Sequence, residues 1–311
     1  VSGGVLKGWS MRTCTLMLLM FSFSCSTEVE TSKAPIARKS TPNEPALKIK
    51  SKVLPPLVTH RYDLVQLQKD GRFSDLKVRS LTTLDDPAYH SGPRTFVGYD
   101  LNEFTTKLEG FATLDPSDVK LRFVCLDGYQ TTFPLESIQG ATGLVAIREE
   151  NQKSNGWSTY QHGKQELTPA PFYLVWANEP VSKKRPWPYQ LTAIEVISKQ
   201  ALSLRTAPQD SRHVAGYEIF KTRCQACHSM NLTGGKMGPE LNVPRNICEY
   251  RTREYLSEFI HNPQSFRAGS PMPPAADITG EKLTGLLDYL CSMSQQKVCD
   301  TPASCVEIIK Q

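Results

Sequence analysis

Long apolar runs are scarce in this 311-residue sequence. The only stretch that reads as a membrane signal, Leu16-Met17-Leu18-Leu19-Met20-Phe21, is far shorter than the ~20 residues a helix needs to span a bilayer. A bundle of membrane helices is therefore excluded. A strong surplus of one charge is also missing: 36 Lys plus Arg against 31 Asp plus Glu leave a formal +5, too little to imply a nucleic-acid partner. No internal repeat is present. With 39% hydrophobic and 22% charged residues, the composition is that of an ordinary globular chain and argues against wholesale disorder.

What is present begins at the N-terminus. Lys7 and Arg12 precede the short apolar run, the layout of an export signal over residues 1–25. Ser22-Phe23-Ser24-Cys25 resembles a bacterial lipoprotein cleavage site, although Phe23 is larger than such sites usually hold. A lipid anchor at Cys25, simple secretion and an uncleaved anchor all stay open. The expected location is the bacterial periplasm, free or anchored to the membrane facing it. Residues 26–58 read as a flexible linker, in which Lys33, Arg38, Lys39, Lys48, Lys50 and Lys52 outnumber Glu28, Glu30 and Glu44. Nine cysteines in an exported chain point to covalent use of several, because free thiols persist poorly in an oxidising compartment.

The length predicts two domains. Residues 59–200 read as a mixed, β-rich α+β domain, with strands expected at Lys120 to Cys125, Thr131 to Phe133, Leu144 to Ile147, Phe172 to Trp176 and Leu191 to Ile197. One helix is expected there, from Leu101 to Leu108, opened by Asp100 and closed by Gly110. Residues 205–297 read as all-α. A first helix runs from Asp210 or Ser211 into Cys224, and a second from Arg253 to Ile260, stopping before Pro263. In the third, Leu283, Leu286, Leu287 and Leu290 form one apolar stripe behind a Thr279 cap. Three helices are a thin core for about 90 residues, so a further group is expected to fill it. A Cys-containing tail, 298–311, follows.

Cys224-Gln225-Ala226-Cys227-His228 supplies that group. Two thiols one helical turn apart, followed at once by an imidazole, form the attachment pattern of a covalent c-type haem. A redox CxxC would need a βαβ setting, which is lacking, and a zinc site would need a second close ligand pair, which Cys248 and Cys291 supply poorly. One haem c is expected, with His228 on the iron. The sixth ligand is expected to be Met272, in the rigid loop Ser270-Pro271-Met272-Pro273-Pro274. Its competitors are Met230, Met237 and His261.

Taken in order, the attachment motif, Gly238-Pro239-Glu240-Leu241, the Met272 loop and a last helix bearing an aromatic residue resemble class I cytochrome c over roughly residues 205–295. The resemblance implies that the Pro239 carbonyl accepts from the proximal imidazole, and that Gly216 on the first helix lets it cross close to Tyr289 on the last. Cys248, Cys291, Cys299 and Cys305 exceed the family's minimum. Three pairings are open to them, and at least one disulfide is expected to tie down the last helix and tail.

Earlier in the chain, Phe123-Val124-Cys125-Leu126-Asp127-Gly128-Tyr129 with Phe133-Pro134-Leu135 and Pro169-Ala170-Pro171-Phe172-Tyr173-Leu174-Val175-Trp176 weakly resembles the molybdopterin-binding fold of the sulfite oxidase family. That resemblance makes Cys125 a candidate molybdenum ligand; the plain alternative is a buried core thiol followed by an Asp-Gly hairpin. His90, Arg94 and His162 are too scattered to hold a cofactor phosphate. The expected function is single-electron transfer between periplasmic redox proteins, with the first domain docking a partner or ligand rather than converting a substrate. The alternative is an oxidoreductase with a molybdenum cofactor at Cys125 and the haem as its electron outlet.

Overall fold

The structure, a computed structural model, describes residues 54–298 except 85, 90, 91, 140, 153–155, 163, 164 and 178–184. The expected export signal with Cys25, nearly all of the linker, His90 and the tail cysteines Cys299 and Cys305 lie outside the described residues, as does the side chain of His162. Among the described residues, no helix is long and apolar enough to cross a membrane.

Two antiparallel four-stranded sheets dominate the first half. In one, the strand order is β1 (Val58–Asp63), β10 (Leu191–Ser198), β4 (Val119–Cys125), β5 (Gln130–Pro134). The other runs β2 (Val78–Thr83), β3 (Arg94–Asp100), β6 (Gly143–Glu149), β9 (Tyr173–Trp176). A small hairpin, β7 (Tyr160–His162) with β8 (Gln165–Leu167), lies beside them, and an isolated bridge from Phe172 to Leu191 links the two larger sheets. All five expected strands are present within a residue or two, because each is an apolar run bounded by turn residues. The expected helix is there too, as α2 (Leu101–Thr105), with the Asp100 carboxylate accepting from the amides of Asn102 and Glu103. It is shorter than expected; the chain turns on and reaches Gly110 at φ +73°.

Unforeseen are β1, α1 (Leu64–Lys69), β2, β3 and the β7–β8 hairpin. β1 and β2 are edge strands with mostly exposed side chains, so neither carries the alternation that marks a half-buried strand. The core of this region is aromatic: Phe96, Phe104, Phe123, Phe172, Tyr173 and Trp176 are fully buried. A second, separate apolar cluster is built from Tyr217, Phe220, Leu256, Ile260, Leu286, Leu287, Tyr289 and Leu290.

The second cluster is helical: α4 (Val214–Arg223), α5 (Arg253–His261), α6 (Pro263–Phe266) and α7 (Gly280–Ser292). One expectation needs correction. This half is not purely helical, because β11 (Ser229–Met230) pairs with β12 (Thr233–Gly234) around a turn with Asn231 and Leu232 at φ 52° and 61°. As expected, α5 stops before Pro263, which opens the short α6, where its missing N–H costs nothing.

Between the two clusters runs α3 (Lys199–Thr206), where sequence patterning suggested only a boundary. Its first residue continues β10 directly. Its last turn enters the helical region: Thr206 Oγ1 lies 2.8 Å from the Tyr217 hydroxyl, and the Thr206 carbonyl accepts from the Tyr289 hydroxyl at 2.7 Å. The connection is therefore a packed element with buried hydrogen bonds at its end.

Candidate cofactor site

Helix α4 delivers the attachment motif. Cys224 caps its C-terminus, and the amides of Cys227 and His228 both donate to the Cys224 carbonyl, at 3.0 and 2.8 Å, so the five residues turn as one unit. The helix is placed by a close crossing with α7. A Cβ on Gly216 would sit 1.9 Å from the Gly285 carbonyl oxygen and 2.8 Å from Tyr289 Cβ. Gly216 is needed where it was expected, and the missed partner is Gly285, whose small size lets the two backbones meet. Tyr289 packs in tilted contact with Tyr217 and Phe220, with both pairs of ring centroids 5.4 Å apart.

Beyond α4 opens a cavity of about 380 Å³, within the range of small-molecule and cofactor sites. Cys224, Cys227, His228, Pro239 and Met272 all line it, together with apolar side chains such as Leu241, Leu256, Ile260, Leu286 and Leu290. His228 Nδ1 lies 2.9 Å from the Pro239 carbonyl. A carbonyl only accepts, so the proton sits on Nδ1 and Nε2 keeps its lone pair for a metal. Burial lowers the pKa of this imidazole, although the Pro239 hydrogen bond opposes the shift; the neutral, ligating form is favoured. The ring rests on Gly238, where a Cβ would lie 2.4 Å from the imidazole.

Burial pushes the Cys224 thiol up to about 12 and raises that of Cys227. Both are therefore protonated at neutral pH, poor metal ligands but available for thioether formation. This donor set fits a covalent c-type haem: two thiols at the edge of an apolar slot, an imidazole with a free lone pair and a thioether in the same lining.

Residues 213–294 match the family model for cytochrome c. This stretch is similar to cytochrome c domains. Haem-based electron transfer by a covalently bound haem c is what such a domain performs. No curated protein matches the chain.

The competing iron ligands in this cytochrome region are placed elsewhere or at its edge. Met230 is fully buried in the core, and His261 spends Nε2 on the Ile278 carbonyl at 2.8 Å. Met237 does line the cavity, but its sulfur lies 3.9 Å from Cys227 Sγ, beside the attachment point. The Met272 loop is held by Gln264, whose side-chain amide donates to the Met272 carbonyl at 2.7 Å, and by Ala275, whose amide donates to the Ile260 carbonyl at 3.0 Å. Arg223, next to Cys224, forms a two-pronged ion pair with Asp277 at 2.6 and 2.9 Å, which links the end of α4 to the segment following the Met272 loop. Sequence reading missed this pair because the partners are 54 residues apart.

Of the four extra cysteines, Cys248 and Cys291 are joined by a disulfide. It fastens α7 to the helical turn Ile247–Glu249. Cys125 lies outside the cavity. It is 4% exposed at the end of β4, and burial, with Asp127 adding, raises its thiol far above the ordinary range. Arg94 stacks over Tyr89 at 3.8 Å and pairs with Glu149. Cys125 is thus an enclosed thiol, and Arg94 is paired with Glu149.

Proposed function

We propose that the chain is an exported mono-haem electron carrier whose iron is held by His228 and Met272. The observation that carries this reading is that both side chains line one apolar cavity beside the two thiols, with the His228 Nδ1–H directed to Pro239 and its Nε2 left free. When bound, the haem supplies a one-electron couple, and His/Met ligation raises its potential. The chain's own residues do the rest. Cys224 and Cys227 hold the group by thioethers, Pro239 orients the imidazole, and the apolar lining excludes water and so favours the less charged reduced state. A class I arrangement of α4, α5 and α7 around the haem is part of the same proposal.

Export is supported by the Cys248–Cys291 disulfide, which belongs to an oxidising compartment. The β-rich region serves, in this reading, to dock a partner or ligand. The enclosed Cys125 favours the electron carrier over a molybdenum oxidoreductase. The test is iron and molybdenum analysis with a reduced-minus-oxidised spectrum on protein made in a host competent for both cofactors. One iron per chain, a covalent c-type spectrum and a far-red methionine–iron band lost in Met272→Ala are expected. Absence of the covalent spectrum overturns the reading, and stoichiometric molybdenum lost in Cys125→Ser would make the chain an enzyme.

A further inference from the structure

Among the described residues, the β4–β5 hairpin of the β-rich region is hydrogen-bonded to the attachment loop. Its tip, Asp127-Gly128-Tyr129, is built locally: the Gly128 amide donates to the Cys125 carbonyl at 3.1 Å, the Tyr129 amide to Asp127 Oδ1 at 2.8 Å, and the Cys125 amide to the Tyr129 carbonyl at 2.9 Å. Two further backbone bonds cross to the cytochrome region. The Gln130 amide donates to the Ala226 carbonyl, inside the attachment motif, at 2.9 Å, and the Lys236 amide donates to the Gly128 carbonyl at 2.8 Å.

The approach is tight. Gly128 has φ +91°, and a Cβ there would lie 3.2 Å from the Lys236 carbonyl carbon and 3.3 Å from the Met237 nitrogen. Met237 in turn lies against Cys227. Tyr129 is half-buried at this junction, and burial raises its phenol. A hairpin of one region thus lies against the Ala226 and Lys236–Met237 backbone of the other, and the neighbouring Cys227 and Met237 line the cavity.

We infer that this hairpin is a built-in brace for the haem-attachment loop, with Gly128 and Gln130 acting as positioning residues that set the reduction potential. The inference rests on the haem reading above. Its physical basis is that a loosened attachment loop admits water to the cavity, which raises the local dielectric and stabilises the more highly charged ferric state, so a braced loop keeps the potential high. The hydrogen bond from the Gln130 amide holds Ala226 and, through it, the two flanking cysteines and His228, while the bond from the Lys236 amide ties the segment that follows to the hairpin.

The test uses the full chain loaded with haem. Gly128→Val places a β-branched residue at a positive φ against the Lys236 backbone. Gln130→Pro removes the amide that donates to Ala226, and also fixes φ at 130 and restricts Tyr129. Both variants are expected to keep one covalent haem per chain and the methionine–iron band. At a fixed poise their reduced-to-oxidised ratio should fall by about tenfold, a shift of about 59 mV for a one-electron couple, and small hydrophilic oxidants should react faster. Haem-loaded variants with unchanged ratio and oxidation rate overturn the inference. Should neither variant load haem, hydrogen exchange of the unaltered protein decides: slow exchange of the Gln130 and Lys236 amides supports the brace, and exchange as fast as an exposed loop overturns it. Failure of the haem reading itself would show separately, as no covalent haem in the unaltered chain.

Discussion

The β-rich and helical regions solve the problem of filling a core in opposite ways. In the first, aromatic side chains interlock: Phe123 meets Phe133 edge to face with centroids 4.8 Å apart, and Phe96 meets Tyr173 at 5.5 Å. These contacts close the core without a guest. In the second, Leu241, Leu256, Ile260, Leu286 and Leu290 surround a cavity, so apolar surface that would normally pack against protein faces a space that a cofactor has to fill. A region of the first kind folds on its own contacts, while one of the second kind couples stability to its ligand.

The sharpest way to break this comparison is to withhold the guest. With both Cys224→Ser and Cys227→Ser, covalent haem should be lost, and calorimetry should show the helical region melting at a much lower temperature while the β-rich transition stays in place. Equal shifts in both would mean that the cores are not independent. The mirror experiment is Trp176→Ala, which empties a fully buried site and should cost about 3–5 kcal/mol. Denaturant unfolding should place that loss in the β-rich region and leave the haem spectrum unchanged.

A smaller effect is expected at the disulfide. Replacing Cys248 and Cys291 together by alanine opens a crosslink spanning 43 residues and should destabilise the helical region by ~2–4 kcal/mol, read from its melting transition alone. The smallest concerns acid. Hydrogen bonds from Arg223 hold the Asp277 carboxyl at about 2, below its ordinary 3.8. Its contribution is thus fully present above pH 3.8 and is lost as pH falls through 2. The pair is exposed, so the loss is slight; spectroscopic titration should show the methionine–iron band weakening over that window earlier in Asp277→Asn.

Legibility also differed between the two regions. Around the cofactor, covalent chemistry demands residue types at fixed spacing, and Cys224, Cys227 and His228 were readable for that reason. Met272 stood out through its flanking prolines. The Gly216 crossing was readable only as one half of a pair, since Gly285 has no local signature. In the β-rich region the apolar strands were readable, but β1, β2 and β3 were not: two are exposed edges, and the third carries Gly98 within its run.

The sequence by itself determined the attachment chemistry, the ligand candidates and the apolar strands and stripes, because each depends on residues close together in the chain. Only the tertiary structure decided that Cys248 pairs with Cys291, that Arg223 reaches Asp277, that α3 joins the two regions, and that the Gly128 hairpin lies on the Ala226 loop. These contacts join residues tens to about a hundred positions apart, and local propensity carries no information about which distant surfaces meet.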